Sequence, residues 1–293
     1  MNKPTVLVIT PSYNCARFVN ETIHSVLSQN YKNIKYMVID DASTDNPQYP
    51  DTYDNDYTLI RHLRNKGEQR TVNEGLLLAK GKYFMVVNAD DPLLPGAINT
   101  LVEFMEANPD VLCGYPDWDS IDESSRFRCH ITSREYDFTW MVKHHTWLPS
   151  VGSIFHSDVI KLIGLRDRSF QWLGDADYWL RVGLAGKMAR VPYTLACWRH
   201  RNGQASLQKS SLRAGEHIRI MRKFYSTPNL PRDIIKVKNE AICWSDLVAT
   251  AVTDNKLEVV KYLFKAIMTY PRLIVSLEFW DLLIKRAYFI LLR

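Results

Sequence analysis

Apolar runs of strand length alternate with amphipathic stretches along the first third of the chain, and three of those runs end in acidic or polar clusters. Thr5-Val6-Leu7-Val8-Ile9-Thr10 reads as a buried strand, stopped by Pro11 and the turn Ser12-Tyr13-Asn14. Phe18 to Asn30 carries Phe18, Ile23, Val26 and Leu27 at helical spacing. Tyr36-Met37-Val38-Ile39 runs into Asp40-Asp41, and Ile60 to Leu63 forms a short third strand. Glu68 to Ala79 has a helical pattern with Gly81 placed as its C-cap glycine, and Tyr83 to Val87 delivers Asn88-Ala89-Asp90-Asp91. This alternation predicts an α/β fold, a mostly parallel sheet flanked by helices on both faces. Ligands of such sheets bind beyond the carboxyl ends of the strands, where this chain puts its carboxylates.

Later segments are harder to read. Ser153-Ile154-Phe155 and Val191-Pro192-Tyr193 have strand character, whereas residues 120–146 are polar and aromatic with few regular signals and read as a loop. From Leu207 onward the pattern is helical, so we expect a catalytic α/β domain over 1–206 and a helical C-terminal extension over 207–293. The formal charge of +5 is unevenly spread: 207–293 holds fifteen Lys/Arg against eight Asp/Glu, a balance of +7, leaving −2 for 1–206. A slightly acidic front excludes a nucleic-acid binder, whose cations would line the binding face.

Five cysteines (Cys15, Cys113, Cys129, Cys197, Cys243) are scattered, without a Cys-x-x-Cys pair, which argues against a disulfide framework or structural zinc. The first residues run straight into a strand without a signal-peptide pattern, and no uninterrupted apolar stretch has transmembrane length. Reduced thiols and these absences predict a cytoplasmic protein.

Asp40-Asp41 and Asp90-Asp91 would each be ordinary turn chemistry if taken alone. Two such pairs on strands of one sheet, with Asp175 to follow, suit a hard divalent cation such as Mg²⁺ or Mn²⁺ shared with substrate phosphates. Asp175 would also serve as an N-cap for the apolar helix that follows. Gly67-Glu68-Gln69-Arg70 is either a solvated entry to a helix or a phosphate-facing N-terminus with Arg70 as its cation. The cluster His144-His145-Thr146-Trp147-Leu148-Pro149 is core packing or an aromatic wall for an acceptor.

The ordered set Ile9-Thr10-Pro11-Ser12-Tyr13-Asn14, Ser25-Val26-Leu27-Ser28-Gln29, Val38-Ile39-Asp40-Asp41-Ala42-Ser43-Thr44-Asp45, Asn73-Glu74-Gly75, Asn88-Ala89-Asp90-Asp91 and Gly174-Asp175 through Arg181 resembles the family 2 inverting glycosyltransferases of GT-A fold. The likeness runs from about Val6 to Ser206. It implies a Rossmann-like GT-A domain, a nucleotide-diphosphate sugar as donor (a UDP-sugar by default), a divalent metal, and a glycan or lipid-linked acceptor. Bacterial surface polysaccharide is the implied product. Residue by residue, Pro11 and Tyr13 would line the nucleobase pocket and Asp41 would accept a hydrogen bond from the base. Asp90 would lie near the ribose or sugar, Asp91 would bind the metal, and Asp175 would be the general base. Three departures stand out: Asn88 where the metal motif opens with Asp, Gly174 where Glu precedes the base, and a late His shifted by one place. His200 is the candidate metal ligand from that segment, and either it or Arg201 would face the diphosphate.

A catalytically silent sugar-nucleotide-binding or scaffold protein is the alternative, with Asn88 and Gly174 as signs of decay and the retained Asp91 and Asp175 against it. A nucleotidyltransferase would have a glycine- and cation-rich loop after the first strand, unlike Pro11-Ser12-Tyr13-Asn14. The apolar segment Leu273 to Leu292 carries Glu278, Asp281, Lys285 and Arg286, too many charges for a spanning helix. It is expected to lie on something: its own domain, a second copy, or the anionic inner face of a membrane.

Overall fold

The computed structural model describes residues 3–50, 57–78, 80–275 and 280. By its contacts the chain forms two compact units, Met1–Tyr136 with Trp147–Ala205, and Asp137–Thr146 with Ser206–Arg293. The first holds one eight-stranded sheet. Its strands are β1 (Val6–Ser12), β2 (Ile34–Asp40), β3 (Thr58–Arg61), β4 (Tyr83–Val86), β5 (Val111–Ile121), β6 (Phe127–Ile131), β7 (Ile154–His156) and β8 (Lys187–Arg199). The order is β3-β2-β1-β4-β7-β5-β6, with β8 on β5.

The first four strands are parallel to one another, in register from Val6 opposite Ile34 to Ser12 opposite Asp40. Their apolar runs are buried without alternation, as expected where helices cover both faces. Val6, Val8, Val38 and Met85 are wholly buried in one cluster, each such side chain contributing about 1.5–3 kcal/mol. Strand β7 runs antiparallel to both β4 and β5, so β5 and its parallel neighbour β8 point the same way as β4. The carboxyl ends of β1, β2, β4, β5 and β8 therefore open on one edge of the sheet.

Helices α1 (Val19–Leu27), α2 (Glu68–Leu78), α3 (Ala97–Ala107), α5 (Asp158–Ile163) and α6 (Gly174–Ala185) belong to this unit. Gly75 of the Asn73-Glu74-Gly75 motif allows α2 to press on β1, since a Cβ there would meet the Ile9 side chain at 2.8–3.0 Å. Gly81, expected as a helix cap, answers a different need: its Cα lies so near the first strand that a Cβ would sit 2.8 Å from the Thr5 carbonyl oxygen.

The second unit is helical: α4 (Phe138–Lys143), α7 (Ser211–Tyr225), α8 (Arg232–Lys236), α9 (Lys238–Val252) and α10 (Lys256–Thr269). Asp137, Ser210 and Asn255 cap α4, α7 and α10 by accepting from backbone N–H groups of Trp140, Arg213 and Leu257. Residues 120–146, expected as a loop, instead contain the end of β5, strand β6 and helix α4. Helix α4 is fixed by a Phe138–Phe224 edge contact, a Thr139–Asp233 hydrogen bond of 2.7 Å and a Lys143–Glu240 ion pair of 3.0 Å. His144 and His145 are buried in the same unit, His145 sharing a 2.9 Å hydrogen bond with His217. The apolar tail from Leu273 to Leu292 falls mainly outside the described residues. No helix among those described is long and apolar enough to cross a membrane.

Candidate active site

Two loops leave neighbouring parallel strands and are tied together at once. After β1, Asn14 takes a positive φ of 50°, and after β2, Ala42 one of 61°. The Asn14 N–H donates to Ser43 Oγ at 3.0 Å, Asn14 Oδ1 accepts the Thr44 N–H at 2.8 Å, and Asp45 accepts the Ala16 N–H at 2.7 Å. Most of the Ser43-Thr44-Asp45 motif is thereby spent on holding the rim. Tyr13 stands on that rim with 46% of its surface exposed, beside half-buried Pro11.

Asp41 is buried, and both its oxygens are engaged. Oδ1 accepts the Lys66 N–H at 2.8 Å and lies 2.7 Å from His62 Nδ1, while Oδ2 accepts the Gly67 N–H at 2.8 Å. Asp41 thus anchors the loop that starts α2. A lone pair of Oδ2 is left over for an incoming donor. His62, not singled out from the sequence, continues the chain of contacts to Glu74 at 3.2 Å. Arg70 is exposed in the first turn of α2.

The acidic turn after β4 is held from three sides. Asn88 Nδ2 donates to Asp91 Oδ2 at 3.0 Å, so the amide that replaces the family's usual carboxylate orients its neighbour. The backbone N–H of Arg199, at the end of β8, donates to Asp91 Oδ1 at 2.9 Å. Asp90 Oδ2 pairs with Arg201 Nε at 2.5 Å, and the Arg201 guanidinium lies over the Phe18 ring. The late segment brings Arg201 to Asp90, while the His200 ring packs edge-on against Trp198, 4.3 Å between centroids. Burial, and then the Asp90 charge, raises the Asp91 carboxyl well above the usual range.

Among the described residues no three His, Cys, Asp or Glu side chains converge on a metal position. A buried carboxylate with a raised pKa and one lone pair left on each oxygen fits an open site, one finished by ligand phosphates and water. Asp91 is the residue that would hold such an ion.

Asp175 is half-buried at the second position of α6, one residue inside the helix and not its N-cap, which is Leu173. Gly174 before it lies close against buried Gln69: a Cβ there would fall 2.2–2.7 Å from that side chain, which would have to move. Arg166 approaches both Gln69 Oε1 and Glu68 Oε1 at 3.4 Å, and its backbone N–H and carbonyl are clasped by the Asn73 amide at 2.9 Å each. Partial desolvation of a side chain still 46% exposed pushes the Glu68 carboxyl up to about 7, opposed by Arg166 and reinforced by the charges of Asp175 and Asp90. Glu68 therefore senses both Asp175 and the acid pair. The other acid of the α6 motif, Asp177, pairs with Arg181 at 2.9 Å.

Arg199 is the functional neighbour that sequence reading missed. Its side chain is wholly buried, donating to the Asp90 and Asp122 carbonyls at 2.9 and 3.0 Å, to Ser125 Oγ at 2.9 Å and to Glu21 at 2.6 Å.

The chain matches the family described as Glycosyl transferase family 2 over residues 7–159. It is 30% identical over 188 residues to an uncharacterised glycosyltransferase of Rickettsia prowazekii, covering 61% of this chain and 58% of that one. It is 28% identical over 194 residues to the Escherichia coli UDP-Glc:alpha-D-GlcNAc-diphosphoundecaprenol beta-1,3-glucosyltransferase WfaP, covering 63% and 72%. The chain thus spans about half the length of several of the curated relatives it matches, from 45% to 58%. Among solved structures, S. aureus TarS 1-349 superposes with a TM-score of 0.64 at 14% identity, over 91% of this chain and 81% of that one. The mannosyltransferase PcManGT from Pyrobaculum calidifontis, in complex with GDP-Man and Mn2+, superposes with a TM-score of 0.61 at 16% identity, over 99% and 81%. Both carry the GT-A arrangement of sheet and helices seen here.

Proposed function

The chain belongs to glycosyl transferase family 2, and from that premise we propose that it moves a sugar from a nucleotide-diphosphate sugar to an acceptor hydroxyl in one inverting displacement. The observation that supports this reading is that Asp90, next to buried Asp91 after β4, and Asp175, at the start of α6, both bear on the carboxyl of Glu68. In it, Tyr13 stacks on the nucleobase from the stapled rim, and the remaining lone pair of Asp41 receives a base N–H. Asp90, set by Arg201, faces the ribose or sugar, and Arg70 approaches the diphosphate. Asp175 takes the proton of the acceptor hydroxyl as that oxygen attacks the anomeric carbon on the face opposite the leaving diphosphate. A divalent cation on Asp91 would supply charge neutralisation to that leaving group. Uracil is the base we favour, because WfaP is named for UDP-Glc and a TarS structure holds UDP-GlcNAc. The diphosphoundecaprenol in the WfaP name supports a lipid-linked acceptor and a role in surface polysaccharide.

Asn88 and Gly174 weigh against a silent scaffold. Each is built into the packing of the site, one orienting Asp91 and the other admitting Gln69.

The test is thermal unfolding with a panel of nucleoside diphosphates, with and without Mn²⁺. Binding to the native state alone stabilises by about 2.7 kcal/mol at a hundredfold excess over Kd. A Mn²⁺-dependent rise with one nucleotide, lost in Asp91→Asn, is expected. No rise with any nucleotide sinks the proposal.

A further inference from the structure

Helix α10 is apolar on two opposite sides. One side is packed: Tyr262 and Ala266 are buried, within clusters that include Cys243, Trp244, Ala214 and Ala249 of α9 and α7. The other side leaves Leu257 81%, Val260 67%, Phe264 63% and Met268 65% exposed, with Leu263 and Ile267 beside them. Their spacing of three and four residues lines them into one continuous ridge along four turns. Water is a poor solvent for six large apolar side chains on one fourteen-residue helix.

The charges beside the ridge identify what covers it. At 100° per residue, exposed Lys261 and half-buried Lys265 border one side, and exposed Lys256 borders the other. The helix has a single carboxylate, Glu258, which accepts a 2.7 Å hydrogen bond from Thr253. Residues 207–293 carry a formal +7 in all. Two copies of this ridge laid face to face would bring lysine rims against lysine rims. A bilayer rich in anionic lipid instead gives the ridge an acyl boundary to enter and the lysines a layer of phosphates to meet.

We propose that the Leu257–Val260–Phe264–Met268 ridge of α10 is a membrane-surface contact, lying in the plane of an anionic bilayer with Lys256, Lys261 and Lys265 at headgroup level. The assignment is separate from the sugar-transfer reading and stands or falls without it. It also locates the contact on α10, not on the apolar tail beyond it.

Co-sedimentation of the full chain with vesicles tests it, comparing phosphatidylcholine alone with an equimolar phosphatidylglycerol–phosphatidylcholine mixture at low and high salt. Phe264→Glu with Met268→Glu, and separately Lys261→Glu with Lys265→Glu, alter exposed or half-buried side chains, and circular dichroism checks that each variant folds. The wild type is expected on the anionic vesicles only, with partitioning reduced about tenfold or more by the apolar pair and several-fold by the lysine pair, the latter mimicked by salt. Undiminished binding of Phe264→Glu/Met268→Glu would overturn the assignment, since the tail is intact in that variant. Absence of vesicle binding, with light scattering showing a dimer that the same variant dissociates, would give the ridge to a second copy instead.

Discussion

Arg199 secures Asp91 from behind: its backbone N–H donates to Asp91 Oδ1 at 2.9 Å while its buried guanidinium donates to the carbonyl of Asp90 at 2.9 Å. The end of β8 and the acidic turn after β4 are therefore one mechanical piece. The piece is extended by hydrogen bonds from the Leu94 N–H to the Leu195 carbonyl and from the Cys197 N–H to the Pro92 carbonyl, 2.9 Å each. Removing the guanidinium leaves the Asp90 carbonyl without that donor, and Glu21 and the Asp122 carbonyl with Ser125 alone. Arg199→Met should cost about 1–3 kcal/mol in urea unfolding, the range for leaving a buried acceptor unsatisfied, because Glu21 stays 42% exposed to solvent. Asp91→Asn keeps an acceptor for the Arg199 N–H and should stay within about 1–2 kcal/mol of wild type.

In the proposed transfer Asp175 is the group that takes the acceptor's proton. Asp175→Asn should lower kcat by about 10²–10⁴ with nucleotide-dependent stabilisation retained, the magnitude expected for losing a general base. Equal loss of nucleotide binding and turnover would move Asp175 from the chemistry to the architecture.

Gly174 and Gln69 are predicted to be coupled. Gly174→Ala alone forces its new methyl into the Gln69 side chain and should destabilise by about 1–3 kcal/mol, as overpacking does. In a Gln69→Ala background the same change should cost much less, and a double-mutant cycle reads the difference.

Glu68 gives the stability a pH dependence opposite to that of a salt-bridged acid. Its carboxyl titrates near 7 in the folded chain against 4.5 as its ordinary value. The folded state thus holds a proton the unfolded state has released, and stability falls as pH rises between the two values. The favourable part is complete below about pH 4.5 and gone above about pH 7. Because 46% of the side chain is exposed, solvent screens the effect, and only its direction is predicted. Glu68→Gln should reduce the loss of stability between about pH 5 and about pH 8, measured by urea midpoints. An unchanged pH slope would mean that other groups set it.

The parts of this molecule that could be read in advance are those in which neighbours in sequence do the physical work. Strands β1, β2 and β4 announced themselves because both faces are buried along their middles, so Val6–Ile9, Tyr36–Ile39 and Tyr83–Val86 are unbroken apolar runs. Strand β6 did not: Phe127, Arg128, Cys129 and His130 are all exposed, and the strand exists because β5 pairs with it. Helix α4 is too short for a periodic signal, and its buried Met141 and Val142 rely on a unit whose other members begin some sixty residues later. At the site, the acid pairs were visible as strand ends, but which acid does what was not. Asp41 looked like a ligand-facing group and also anchors the loop at Lys66 and Gly67. Arg199 was one cation among several in Trp198-Arg199-His200-Arg201, and only tertiary burial separates it from its neighbours.

Residues 137–146 are threaded through the first unit's chain yet packed with the second. On the ribosome, α4 emerges long before α9, whose Glu240 and Trp244 meet Lys143 and His144. Its apolar side must wait, unsheltered, while roughly a hundred residues are synthesised, on the order of ten seconds at ordinary rates of elongation. That interval leaves Trp140 to Thr146 waiting for its packing partners while the chain lengthens. It also means that release of the chain before α9 is complete would strand a sticky loop on an otherwise finished domain.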